Sequence, residues 1–516
     1  MQTAPWISES AAVAAKIAIA LATAAWIALD GALARRGLGA RWRRTRDAAL
    51  AALGVTGALG WWWFGVARPW DVHEHDTFHY YVVAKYFPEL GYRGLYLCAL
   101  GADLEAGLDP GPRIRDLATN DLVPALTQLD AARACKQRFS PARWSAFRDD
   151  LDWFRARLTP RAWQQIREDH GFNGSPVWLI GGALLTRAPG GANALPWLVL
   201  VDPLLLAAMW AGVVWAFGWR TAAVAAVFWG TNGVEGFDWT GGTLLRQDWL
   251  VALVLGIACL AREKPLAAGA LLATSAGLRI FPALAIAGLA GKRALDALHT
   301  RSTAPLRSLA RFAAGAALAT ALLVPLATAV GGAGAWSGFA ANSEKLLATP
   351  LFNHMGLRPL LAFDPAASAR RLEAPDAAEP NAAWKASQRA RWAARRGLVA
   401  AIAAVYVVLL ARALRNESDW SAAALATGAI PVLTQLTGYY HVALLGLALL
   451  YARRAWVGAA MACVAAATQA IYASLPYSDV PFLGMSAVEL VAIFAITVSA
   501  GSSGERELHG GPRAGR

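Results

Sequence analysis

Charge is scarce in this chain: of its 516 residues only 16% are Asp, Glu, Lys or Arg. Soluble domains carry about a quarter, so a string of such domains is a poor reading of the length. Lysine is rarer still, 7 residues against 41 arginines, which reads as coding bias more than function. The four cysteines are too few for a disulfide-built scaffold. Cys259 and Cys463 lie in apolar runs and pack there, whereas Cys98 and Cys135 share one polar loop. A disulfide between them is open, depending on whether that loop faces an oxidising compartment. No Gly-x-Gly-x-x-Gly turn, no phosphate-cradling Gly-Lys-Ser/Thr loop, no Gly-x-Ser-x-Gly elbow and no internal repeat is present. "MQTAPWISES" has no basic residue, while "ARRGLGARWRRTR" follows the first apolar run. This reverses a secretory leader and predicts an uncleaved helix with its N-terminus outside.

What the chain has instead is apolar length. Runs of spanning size recur, among them "AAVAAKIAIALATAAWIALDG", "ALPWLVLVDPLLLAAMWAGVVWAFGW", "FAAGAALATALLVPLATAV" and "GLVAAIAAVYVVLLA". They predict an all-α polytopic membrane protein of roughly 11–13 transmembrane helices. The net charge of +13 comes from arginines clustered in short loops between these runs. That is the positive-inside pattern and no sign of nucleic acid.

Sidedness follows from those loops. Residues 1–66 form the N-terminal helices, and 67–194 form a large extracytoplasmic loop. A transmembrane core covers 195–333, including a short helix pair around 265–291 that turns within the membrane near Arg279. A second outer loop spans 334–396, C-terminal helices 397–500, and a cytoplasmic tail 501–516. "KASQRARWAARR" conflicts with its outer placement and reads as an amphipathic helix at the headgroups. In the first loop, "PARWSAFRDDLDWFRARL" and "PRAWQQIREDHGF" predict helices behind their prolines.

Chemistry gathers in "RPWDVHEHDTFHYYVVAKYFPELGY", residues 68–92. Asp71, Glu74 and Asp76 stand among His73, His75 and His79 where an outward helix leaves the membrane. A carboxylate there can deprotonate an acceptor hydroxyl. The tyrosines that follow fit an aromatic belt at the interface. His73, His75, Asp76 and His79 also offer metal-ligand chemistry, but no familiar ligand spacing is matched, so no metal is expected. Arg279, and Arg246 with Gln247 and Asp248, are charges inside apolar sequence, which demand a cavity or a partner. Arg279 has no neighbouring acid and suits a phosphate; Arg246 and Asp248 offer each other an internal pair. Asp202 reads as a kink beside its proline, with an arginine as an alternative partner. Asn353 and His354 in the second loop, and Tyr440 and His441 at an outer helix end, complete the candidates.

The order of these features resembles the GT-C superfamily of membrane glycosyltransferases, in particular its polyprenyl-phosphate-mannose-dependent, mannosyltransferase-like branch. "HDTFHYYVVAKYFPELGYRGLY" is similar to that branch's first outer loop, through Asp76, Tyr80, Ala84, Gly91 and Tyr96. "FNGSPVW" stands at the small-Pro segment, "RQDWLVALVLGIACLAREK" at the Gly-Gln helix start with Arg246 for Gly, and "AAGALLATSAGLRIFPALAIAGL" at the Lys-Pro segment with Arg279 for Lys. Asn353 to Leu357 matches an Asn…Gly-Leu pattern. The likeness touches roughly residues 60–455, and the first outer loop is longer than the branch's minimal one.

The resemblance implies a bacterial inner-membrane enzyme with an extracytoplasmic site and an inverting mechanism. Asp76 would be general base toward an unknown lipid, glycan or protein acceptor. Arg279, Arg246 and His354 would hold the phosphate of a polyprenyl-phosphate sugar donor. His73, His75, Tyr80, Gln247, Asn353, Tyr440 and His441 would line the substrates, with no cofactor or metal. The rivals are a lipid-linked-substrate transporter or flippase and a polysaccharide ligase or polymerase. A transporter predicts broken helices at the midplane and related halves, neither of which the sequence favours.

Overall fold

The computed structural model describes residues 6–37 and 41–502. Met1–Pro5, the stretch 38–40 within the arginine-rich loop, and nearly all of the expected cytoplasmic tail lie outside the described residues. Helix makes up 75% of the structure, as expected for an all-α polytopic membrane protein. Among the described residues six helices are long and apolar enough to cross a membrane: Glu9–Arg35, Gly191–Phe217, Ala304–Gly331, Ala382–Leu414, Ala455–Ser474 and Asp479–Ser502. At 1.5 Å rise per residue, each reaches about 30 Å or more.

The other apolar runs fold as shorter helices, including Asp248–Ala261, Pro265–Leu278 and Gly438–Ala452. What shortens them is visible in sequence. Arg279 is extended (φ −143°, ψ 135°) and Pro282 follows, so the helix Pro265–Leu278 stops and a new one, Ala283–Thr300, begins. Proline lacks the N–H that would continue the ladder.

Small residues let the helices approach. Arg43–Trp61 packs along Trp219–Thr231. There a side chain at Gly57 would come within 2.8 Å of the Val227 Cα, and one at Gly230 would strike the Gly57 carbonyl. Such small-residue seams hold helices together where apolar burial alone gives no preference. "KASQRARWAARR" is not a separate interfacial helix: it runs unbroken into the next apolar run as the 33-residue Ala382–Leu414. Nothing but Gly397 interrupts that stretch, and one glycine costs a helix only about 1 kcal/mol.

Residues 67–194 do not stand apart from the spans: their apolar helix Pro176–Thr186 packs along Ala304–Gly331, and the stretch before it folds into a unit against them. Helices Leu95–Glu105, Pro141–Arg155 and Pro160–Arg167 join the hairpin of Arg113–Asp116 and Asp121–Pro124. The two Pro-led helices are capped by Ser140 and Thr159, whose hydroxyls accept from the N–H of Arg143 and Ala162. Cys98 and Cys135 are joined as a disulfide within this unit. Phe78, Phe147, Leu151, Phe154 and Ile166 form its core, all essentially inaccessible.

This core corrects the reading of the tyrosines as an interfacial belt. Tyr81 and Tyr86 are fully buried. Their hydroxyls donate to Asp150, at 3.3 and 2.7 Å, and Lys85 Nζ bonds the same carboxylate at 2.6 Å. A phenol with an internal carboxylate partner gains more there than at a wet headgroup layer.

Candidate functional site

The backbone carrying the candidate acid is shaped by a wide turn. A short helix at Glu74–Thr77 passes into one turn of π-helix at Phe78–Val82, then into Val83–Leu90. Such turns concentrate at functional sites because they re-aim the side chains around them. Against this segment lies the non-helical stretch 241–247. Gly242 has φ +64°, and any side chain there would collide with the Asp71 carbonyl. Its own carbonyl accepts from the His73 N–H at 2.8 Å and from Thr77 Oγ1 at 3.2 Å. Leu245 is also left-handed (φ 51°), a conformation that costs a branched residue energy and marks a fixed backbone. Its carbonyl accepts from Trp178 Nε1 at 2.8 Å.

This contact brings Asp76 and Arg246 together from 170 residues apart. Arg246 Nε stands 2.8 Å from Asp76 Oδ2, with the guanidinium almost fully buried and the carboxylate 18% exposed. Arg246 also donates to the Tyr80 hydroxyl, which in turn donates to Asn173 Oδ1 at 2.5 Å. Its backbone N–H is held by Asp202 Oδ2 at 2.7 Å. Asp202 therefore anchors the arginine's backbone and is no mere kink residue. The expected Arg246–Asp248 pair does not form; Asp248 accepts the N–H of Trp249 instead.

A cavity of about 480 Å³ opens in front of this pair, lined among others by His73, His75, Asp76, His79, Tyr80, Asp169, Arg246, Asn353 and Tyr439. Arg279 is one ring behind its wall. It is buried, lies 3.5 Å from the Tyr80 hydroxyl, and its guanidinium carbon is 5.7 Å from the Tyr440 ring. Among the described residues it makes no ion pair, and its Nε has no hydrogen-bond partner. Two buried guanidiniums thus flank Tyr80, and among the described residues only one carboxylate is salt-bridged to them.

The remaining candidates divide cleanly. His73, His75, Tyr80 and Asn353 line the cavity. Tyr440 is buried between Arg279, Trp249 and Phe281, on the far side of the wall. Gln247 is turned away, donating to Glu235 and Thr240 at 2.8 and 3.0 Å. His441 is sealed against Glu489 at 2.5 Å and does not line the cavity. His354 accepts at Nδ1 from Gln435 at 2.5 Å and from the Leu351 N–H. Burial first, then the charges of Arg358 and His441, lower its pKa to about 3. It is neutral at physiological pH and adds no positive charge for a phosphate.

Sequence reasoning missed the stretch "DHGFN", residues 169–173, which supplies Asp169, His170 and Asn173 to the cavity. Its signal was a second acid-histidine pair in the same loop. His75 Nε2 lies 3.3 Å from Asp169 Oδ2, and His79 Nε2 lies 3.8 Å from it. Burial alone would lower the His75 pKa, but the Asp169 bond and the charges of Asp169 and Asp76 raise it. Burial would raise that of Asp169, yet the surrounding imidazoles hold it far below the usual carboxylate range. Burial dominates at His73 and His79 and lowers both. No family model, curated protein or solved structure matches the chain.

Proposed function

We propose that this protein is a membrane glycosyltransferase that moves a sugar from a polyprenyl-phosphate donor to an acceptor hydroxyl. The observation that carries the proposal is the Asp76–Arg246 pair at the cavity wall, with Arg279 buried behind Tyr80 and without an ion pair among the described residues. A buried guanidinium needs a counter-charge, and only the more distant charge of Asp248 reaches Arg279, which leaves room for an anion beside the two arginines. A lipid phosphate meets that need at the edge of a bilayer. The Cys98–Cys135 disulfide supports an extracytoplasmic face for the unit that carries Asp76.

The chemistry follows from the same groups. The donor phosphate competes with Asp76 for Arg246, and the freed carboxylate takes the proton of the acceptor hydroxyl. The acceptor oxygen bonds to the anomeric carbon from the face opposite the phosphate. The bond from the anomeric carbon to the phosphate oxygen breaks with its electron pair going to that oxygen; polyprenyl phosphate leaves, and the anomeric carbon of the glycoside product is inverted. Arg246, at the cavity wall, holds the charge that develops on the leaving oxygen, and Arg279 adds its positive charge from behind Tyr80, an effect that is strongest where water is excluded.

The test is direct. Purified protein incubated with a polyprenyl-phosphate hexose and a panel of lipid and glycan acceptors should release polyprenyl phosphate. No release across donors differing in sugar, with folded protein, would overturn the proposal.

A further inference from the structure

The second acid-histidine cluster in the cavity has no part in that chemistry. His75 and His79 are one helical turn apart, with ring centroids 5.4 Å apart, and Asp169 reaches them from the end of another helix. One ring nitrogen of each histidine and a carboxylate oxygen lie within 4.8 Å of one another. Donors around one transition-metal ion at about 2.0–2.2 Å stand on the order of 3–3.5 Å apart. The His75–Asp169 and His79–Asp169 distances, 3.3 and 3.8 Å, are close to that spacing already.

We propose that His75, His79 and Asp169 bind a divalent transition-metal ion of the zinc–manganese class, with its open positions facing the cavity. Two imidazoles and one carboxylate favour such an ion over magnesium or calcium, which take oxygen donors. Three protein donors leave positions for water or a substrate oxygen, the arrangement of a working site and not of a closed structural one. One outer contact orients a ligand: the His79 ring donates to the Ile166 carbonyl, the kind of bond that fixes a ligating imidazole. The Tyr96 hydroxyl, 2.6 Å from His79 Nε2 and itself accepting the Gly171 N–H at 2.9 Å, occupies the metal-facing nitrogen and gives way when an ion binds.

The test needs no sugar donor, so its failure is separable from failure of the glycosyltransferase reading. Full-length protein without a histidine tag is stripped with EDTA and titrated with zinc or manganese chloride, followed by elemental analysis. One ion per chain is expected. His75→Ala and Asp169→Asn should each weaken binding by more than about 100-fold, beyond the usual loss from removing an outer partner. Cobalt substitution should give a visible absorption spectrum that His75→Ala abolishes. His299→Ala, at an exposed site, should change neither. His79 is buried, and its replacement risks the fold; His75 is 39% exposed and serves as the decisive variant. Absence of a stoichiometric ion on the wild type, or unchanged affinity in folded His75→Ala, overturns the proposal.

Discussion

Two neighbouring clusters on the cavity wall are built on opposite principles. In one, two buried guanidiniums have a single carboxylate ion-paired with them, and Arg279 has no ion-pair partner among the described residues. In the other, a carboxylate sits among imidazoles. The first has more positive than negative charge in direct contact, the second is rich in lone pairs. Such neighbours suit an anion at the first and a cation at the second. Neither cluster would say as much alone, because isolated buried pairs are common without function.

Four experiments sharpen or break that contrast. The largest effect is expected from Asp76→Asn, which should lower turnover by about 10²–10⁴-fold, the usual worth of a positioned base. Full turnover in that variant would remove Asp76 from the chemistry. Next, Arg279→Ala should weaken donor affinity by about tenfold, as removal of a nearby buried positive charge does. Unchanged donor binding, measured by titration, would leave the anion-binding cluster resting on Arg246 alone. A smaller loss is expected from Gly242→Ala, where strain at positive φ and the clash with Asp71 should cost about 1–3 kcal/mol of stability. Its readout is a lowered thermal midpoint together with slower turnover. The smallest expected effect is a crossed one. Arg279→Ala should leave metal affinity within about twofold, since separate sites contribute nearly independently. Strong coupling would show that the two clusters act as one site.

Much of the scaffold could be read from the chain. Apolar runs, Pro-led helices with Ser140 and Thr159 before them, and the break at Arg279–Pro282 are local signals. The site was legible only in parts. Asp76 and Arg246 each stood out, as an acid beside a membrane and as a cation within one, but their partnership depends on Gly242 packing on residues 71–77. Asp169 comes 90 residues after His79, so no spacing rule joins them. The tyrosines misled because an interfacial phenol and one bonded to a buried Asp150 share the same sequence pattern. Six helices among the described residues are long and apolar enough to cross a membrane, and polar breaks divide other apolar runs into shorter helices that composition alone does not delimit.

The Gly242 carbonyl has a mechanical meaning beyond its packing. It ties His73 and Thr77, on either side of Asp76, to the strand of backbone that carries Arg246. Acid and arginine are thus joined through the backbone as well as through their ion pair, so a disturbance at residue 242 reaches both partners at once.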